Sequence, residues 1–187
     1  MAIESPKFKL TKSDGKFEIR EYAEYITASV ELELPFSEAM SRGFSILADY
    51  IFGNNRAKTA IAMTAPVTGQ AVKSQKIAMT APVTAAKIGQ GAKYLVSFTM
   101  PAKYTLETLP QPVNTAIVVS KVPQHKAAVL KFSGYLNEKT VAKKTQELDK
   151  WLKANNLPAK PDFQLAQYNP PWIIGPFRRN EVIAELI

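Results

Sequence analysis

The side chains able to do chemistry in this chain form a short and uneven set. There is one histidine, His125, and no cysteine among 187 residues. Without cysteine there is no thiolate nucleophile, no thiolate metal centre and no disulfide framework. With one histidine a nucleophile triad would need unusual members. No Gly-rich phosphate loop follows a strand and no Gly-x-Ser-x-Gly elbow is present. His125 falls in the turn Pro123-Gln-His-Lys126 and reads as a surface imidazole. Phenols, carboxylates, thioethers and cations remain, chief among them Glu21, Glu181, Tyr168, Met63, Met79, Arg178 and Arg179. Such groups hold a guest more readily than they convert one. Glu21 and Glu181 read as solvated strand-edge carboxylates, with a buried carboxylate as the alternative if the surroundings are apolar.

Met63 and Met79 occupy the same place in a duplicated octapeptide. Residues 61–68, Ile-Ala-Met-Thr-Ala-Pro-Val-Thr, return unchanged as residues 77–84. Each copy alternates Ile, Met, Ala and Val with Ala, Thr, Pro and Thr, the two-residue period of a half-buried strand. The short connection 69–76 predicts antiparallel neighbours. Pro66 and Pro82 each lack a ladder donor, which predicts edge or bulged strands.

The elements that must position these groups fall into two similar runs. Strands are expected at Phe17–Tyr22 and Tyr25–Glu33, the second alternating almost perfectly. An amphipathic helix is expected over 37–52, with Ser37 as N-cap, Met40, Phe44, Leu47 and Ile51 on one face, and Gly53 as the stop. The duplicated strands and a strand over 94–100 complete the first run. The second repeats the order: strands over 116–122 and 126–132, a helix over Glu138–Ala154, and strands over 163–168 and 181–187. The whole chain, 1–187, reads as one domain with halves at about 17–100 and 113–187, joined by a Pro-rich linker over 101–112 too apolar to be a free hinge.

Composition bounds the partners. Hydrophobic residues make up 46% of the chain, enough for a packed interior, and the formal charge is +8. That charge favours anionic partners, but the lysines are dispersed and form no nucleic-acid motif, so no nucleic acid is expected. No stretch approaches the roughly 18 apolar residues of a membrane span, so no membrane insertion is expected and the expected location is cytoplasmic.

Several motifs occur in a fixed order: Phe17-Glu-Ile-Arg-Glu-Tyr22, the two Ala-Met-Thr-Ala-Pro-Val copies, Phe98-Thr-Met-Pro-Ala-Lys-Tyr104 with Leu109-Pro110, Phe132-Ser-Gly134, and Phe177-Arg-Arg-Asn-Glu-Val182. Together they resemble the SOUL haem-binding protein family over nearly the whole chain. The resemblance implies an α+β fold, a distorted antiparallel β-barrel of two pseudo-symmetric βαββ-type halves flanked by two helices. It also implies reversible binding of haem or another tetrapyrrole in an apolar cleft between barrel and helix, without a structural metal. Met40, Phe44, Leu47, Ala48 and Ile51 would then face Met63 and Met79, with Tyr168 and Trp172 near the opening. The competing account of these methionines and aliphatics is core packing.

Haem also needs cations for its propionates and, for ligation, a donor to iron. Arg42, Lys58, Arg178 and Arg179 are the cation candidates, although Arg178 and Arg179 beside Asn180 and Glu181 read equally as members of an ion-pair cluster. Glu21 stands where some haem-binding relatives carry histidine, and Ser41 and Asp49 stand where they carry basic residues. The leading expectation is therefore non-catalytic binding of haem, a porphyrin or another flat hydrophobic ligand. Two alternatives are an interaction or regulatory module of the same fold that takes a protein partner, and an enzyme acting on haem or a small electrophile through Glu21 or Tyr168.

Overall fold

The computed structural model describes residues 4–57, 74–89, 91–170 and 172–187. The first octapeptide copy, with Met63, and Lys58 lie outside the described residues. In chain order the elements are β1 (Phe8–Asp14), β2 (Phe17–Tyr22), β3 (Tyr25–Glu33), α1 (Phe36–Phe52), β4 (Asn55–Arg56), β5 (Val83–Lys87), β6 (Lys93–Thr99), β7 (Gln111–Pro112), β8 (Ile117–Val122), β9 (His125–Phe132), α2 (Glu138–Ala154), β10 (Ala159–Gln167) and β11 (Asn180–Leu186). A 3₁₀ turn, Gly175–Phe177, lies between β10 and β11.

Nine strands form one antiparallel sheet in the order β1-β2-β9-β11-β10-β5-β6-β3-β8, and β4 pairs with β7 apart from it. Exchanging β2 with β8, β3 with β9, β5 with β10 and β6 with β11 reverses the order from β2 to β8 onto itself. The two runs of the sequence are therefore the two halves of one sheet, and each half lends its first strand to the other: β2 pairs with β9, and β8 with β3. The sheet is barrel-like but open, ending at β1 and β8.

Both helices lie on one face. α1 packs against β3 and β6, and α2 against β9, β10 and β11. Leu47, Tyr50 and Ile51 join Val30, Val96, Phe98 and Met100 in one core cluster, while Leu148 and Leu152 join Leu130, Leu165 and Val182 in the other. Met40 touches both clusters and links the two helix layers. Trp151 of α2 stacks on Phe17 at 4.9 Å and donates to Asp14 Oδ2 at 2.9 Å, which fastens the β1–β2 hairpin. The linker between the halves is tied down as well: Leu109 is core, and Tyr50 donates to the Pro110 carbonyl at 2.7 Å.

Two local expectations are corrected, and one strand was not foreseen. Ser37 does not cap α1; Pro35 holds the N-cap position, and the Phe36 N–H donates across to Glu138 Oε1 at 3.3 Å. The asparagine at the start of α2 does cap, as Asn137 accepts from the Thr140 N–H. The second octapeptide copy is not a continuous strand at an edge. Residues 77–81 are held by other means, with Ile77 N–H on the Ile51 carbonyl at 2.8 Å and Thr80 Oγ1 on the Thr99 carbonyl. Only Val83 and Thr84 enter a strand, and that strand is interior, paired with β6 on one side and β10 on the other. Pro82 cannot donate to a ladder, so regular pairing starts after it. β1 is a strand that hydrophobic alternation could not reveal, because all seven of its residues are exposed. Its signal was the turn: Asp14 pairs with Phe17 across Gly15-Lys16, and Gly15 has the positive φ, 57°, that such a hairpin needs.

Candidate functional site

Pairing register places several named residues at one end of the sheet. Phe98 of β6 is opposite Val83 of β5, Val83 is opposite Gln167 of β10, and Gln167 is opposite Asn180 of β11. Phe44 reaches down from α1 onto Phe98, edge to face at 5.4 Å. Met79 lies four residues before Val83, and the β10–β11 loop leaves the sheet directly after Gln167.

α1 divides its apolar residues between two tasks. Leu47, Ala48 and Ile51 are buried, and the first and last belong to the core cluster. At Gly43 the helix sits so close to the sheet that an added Cβ would lie 2.6 Å from Val96 Cβ. Phe44, by contrast, remains 40% exposed, and Met79 and Phe52 are exposed too. The exposed apolar surface of α1 is therefore its rim, where Phe44 stands, rather than the seam beneath it.

The β10–β11 loop carries a further set of exposed apolar side chains at this end of the sheet. Trp172 is 79% exposed, and Ile174 and Phe177 are also open to solvent. The loop backbone is nevertheless seated firmly. The Gly134 N–H donates to the Gly175 carbonyl at 2.9 Å, and Gly175 lies so close to the Tyr135 ring that a Cβ there would meet it at 2.7 Å. Arg178 covers the same ring at 4.7 Å and donates through Nε to the Ile173 carbonyl. A fixed loop that turns large apolar side chains outward marks an interaction surface.

Among the described residues, Arg42, Arg178 and Arg179 do not gather around this surface as a dedicated propionate clamp. Arg42 is exposed on α1. Arg179 pairs with Glu181 at 2.7 Å and covers the Tyr168 ring at 3.9 Å. Asp49 accepts from Asn54, and Glu21 accepts from Gln124 Nε2.

Arg179 belongs to a buried charge cluster whose centre is Glu181. This corrects the expectation of a solvated strand-edge carboxylate, since Glu181 is fully buried. It accepts from both terminal nitrogens of Arg20 at 2.8 and 2.9 Å, from Tyr168 Oη at 2.7 Å, and from Arg179. Arg20, itself buried, also donates to Glu18 and to Tyr22 Oη, and Lys131 pairs with Glu18 from the surface. Burial alone would raise the Glu181 pKa; the hydrogen bonds and charge of Arg20, helped by Tyr168 and Arg179, outweigh it and hold the carboxyl below its usual range. Burial, and then the same carboxylate, pushes the Tyr168 phenol up, so Tyr168 is a neutral donor at physiological pH. The signal for this cluster was present in Glu18, Arg20 and Tyr22, which share one face of β2 by strict alternation.

The opposite face of the sheet, on which no helix of the described residues packs, carries a cavity of about 190 Å³ among Tyr22, Tyr25, His125 and Tyr168. His125 is not a plain surface imidazole: it stacks on Tyr22 at 5.3 Å and meets Tyr25 at 6.1 Å. Tyr168 lines this cavity rather than the rim of α1.

Set against haem, the residues of the rim fit the ring and not a fixed iron. Phe44, Trp172, Ile174 and Phe177 offer flat apolar contact, and Met79 is the one exposed soft donor among the described residues there. Among the described residues no group of three or more His, Asp or Glu side chains is placed to hold a free metal ion.

Comparison with known proteins agrees with the fold. A family model described as SOUL heme-binding protein matches residues 3–185. Heme-binding protein 2 of Homo sapiens is 38% identical over 73 residues, which is 36% of this chain and 35% of that protein. The matched stretch thus spans about a third of that relative's length. Among solved structures, the EcmrR C-terminal domain superposes with a TM-score of 0.63 at 12% identity, covering 91% of this chain and 96% of its own. A hydrolase from Listeria innocua superposes at 0.55 with 9% identity and 92% coverage of both chains. At these identities the two structures share the fold alone.

Proposed function

The chain belongs to the SOUL heme-binding protein family, and on that premise we propose that it binds haem, a porphyrin or another flat hydrophobic molecule reversibly and without converting it. The guest lies on the apolar surface formed by the rim of α1, Met79 and the β10–β11 loop. The observation that carries this reading is the exposure of Trp172, Ile174 and Phe177 on a loop whose backbone is clamped, at the same end of the sheet as exposed Phe44. Binding draws on apolar area removed from water, at roughly 25 cal/mol for each Å². Arg42 and Arg178 supply diffuse attraction to carboxylates at the edge of the guest.

The test is a titration with hemin followed by Soret absorbance and by quenching of tryptophan fluorescence. Phe44→Asp and Trp172→Asp each place a charge on the apolar surface and are expected to weaken binding about tenfold or more, the equivalent of about 1.4 kcal/mol. Both sites are exposed, so folding should be intact by circular dichroism. Unchanged affinity in both variants would remove the guest from this surface.

A further inference from the structure

The strands beneath α1 carry two unlike faces. Ala28, Val30, Val96 and Phe98 belong to the core cluster under the helix. Their neighbours Thr27, Ser29, Ser97 and Thr99 point by alternation to the other face, where all four line the cavity of about 190 Å³. Pairing register arranges them, with two further hydroxyls of the lining, in two rows. Ser120 of β8 stands opposite Thr27 of β3, which stands opposite Thr99 of β6. Two residues along, Ser29 of β3 stands opposite Ser97 of β6, which stands opposite Thr84 of β5. Neighbours within a row are one strand spacing apart, about 4.8 Å at the backbone.

The two rows are suited to a guest that hydrogen-bonds. Thr27, Ser29, Ser97 and Thr99 are each less than a tenth exposed, and a buried hydroxyl costs free energy unless it finds partners. Ser29 donates to Ser97 Oγ at 2.7 Å, and Thr27 and Ser120 share a hydrogen bond of 3.3 Å. A hydroxyl donates once and accepts twice, so these pairings leave capacity for the hydroxyls of a guest. Tyr22, Tyr25 and His125 line the same cavity, His125 stacked on Tyr22 at 5.3 Å, and add flat aromatic surface.

Charge and size narrow the guest. Among the described residues no lysine or arginine lines the cavity, and the one carboxylate in the lining, Glu185, pairs with Lys160 at 2.7 Å. Arg20 and Arg179, which cover the rings of Phe8 and Tyr168, both pair with Glu181. Burial pushes the Tyr25 phenol up to about 12, so it lines the cavity uncharged. A charged guest would give up its hydration here without an ionic partner in return. A cavity of about 150 Å³ is enough for benzene, and this somewhat larger one suits a single six-membered ring with small substituents. Phe8, Ser120 and Gln164 in the lining are exposed, so the cavity is reached from solvent.

We infer that this cavity is a binding site for one small, uncharged, polyhydroxylated ring of the class of a single pyranose sugar. The C–H faces of the ring meet the aromatic side chains, and its hydroxyls meet the two rows. The site does not depend on tetrapyrrole binding, which we place on the apolar rim of α1 and the β10–β11 loop.

Glucose, galactose and mannose test it, each beside its 2-amino and its uronate counterpart, so that ring size is held and charge is varied. Binding to the full chain is read by saturation-transfer NMR and by titration. At least one neutral hexose is expected to bind, about tenfold or more tighter than its own charged counterparts. Thr27→Val combined with Thr99→Val removes two hydroxyls at nearly constant volume and is expected to weaken binding about fivefold or more. Ser120→Phe, at an exposed position of edge strand β8, fills the cavity and is expected to abolish binding. Hemin affinity should be the same in these variants as in the parent, so the two proposals fail separately. No transfer to any of the three hexoses at millimolar concentration would leave water as the occupant and overturn the inference. Equal or tighter binding of a charged counterpart, or hexose binding undisturbed by both variants, would overturn it as well.

Discussion

Arg20→Met is expected to lower the unfolding free energy by about 3–5 kcal/mol, the usual cost of stranding a buried charge by removing its partner. Glu181 is fully buried and takes two of its hydrogen bonds from Arg20, and Glu18, nearly buried, takes another. Tyr168 and Arg179 still reach Glu181 in the variant, but Arg179 is half exposed and cannot replace a guanidinium held inside. Urea titration at pH 7 measures the loss. Adding Glu181→Met to Arg20→Met should recover part of it, because the orphaned carboxylate is then gone.

The same cluster sets an acid limit. The pKa values of Glu18 and Glu181 are both held below the unfolded value of about 4.3. A carboxyl whose folded pKa is depressed contributes stability that is complete above the unfolded value and is lost as pH falls through the folded one. The parent protein should therefore lose stability steeply below about pH 4. In Arg20→Met, whose carboxylates are no longer held down, the slope should be shallower. A difference in stability between parent and variant that stays the same at pH 7 and pH 3 would show that the cluster is not what the acid limit reports.

The second large effect is at the contact of α1 with the sheet. Gly43→Ala introduces a Cβ 2.6 Å from Val96 Cβ, and since that contact is made by a Cβ, shortening the valine to alanine leaves it in place. Alanine is the better helix former by about 1 kcal/mol, but overpacking a tight contact costs about 1–3 kcal/mol, and here the neighbour is fixed in the middle of β6. The expected net result is a loss of up to about 2 kcal/mol in thermal or chemical unfolding, which Val96→Ala does not restore. The helix must lift to relieve the contact, and Phe44, the next residue, moves with it. Hemin affinity should fall in Gly43→Ala although the substituted residue touches no guest. Gained stability with unchanged affinity would mean that the helix has room that the geometry denies.

Much of this fold was legible because its signals are local. Alternation in Tyr25–Glu33 and the i, i+3, i+4 spacing of Met40, Phe44, Leu47 and Ile51 located a strand and a helix to within a residue. The repetition of order predicted two halves, and the sheet has them. Sequence could not tell that the halves exchange their first strands, because pairing partners are set by long-range geometry. Nor did the alternation of the second octapeptide copy survive as a continuous strand, since Pro82 interrupts the ladder and Thr80 finds a carbonyl elsewhere. On α1, helical spacing grouped Phe44 with Leu47 and Ile51 but could not divide them: Leu47 and Ile51 go to the core and Phe44 to the surface, a difference of one turn that only packing decides. The Glu18, Arg20 and Tyr22 stripe was readable by parity, yet its partner Glu181 is 161 residues from Arg20 and no local pattern joins them.

The proposed hold on a planar guest, by apolar contact at the rim of α1 and the β10–β11 loop with no dedicated ligand to iron, makes affinity largely independent of the metal. Its most direct test compares hemin with iron-free protoporphyrin IX by tryptophan quenching under identical conditions. The expected result is affinities within about threefold of each other, under 1 kcal/mol, and parallel weakening of both by Phe44→Asp. Tight hemin binding with a sharp Soret band, beside iron-free porphyrin that binds more than about thirtyfold more weakly, would contradict it and assign the energy to a bond with the metal.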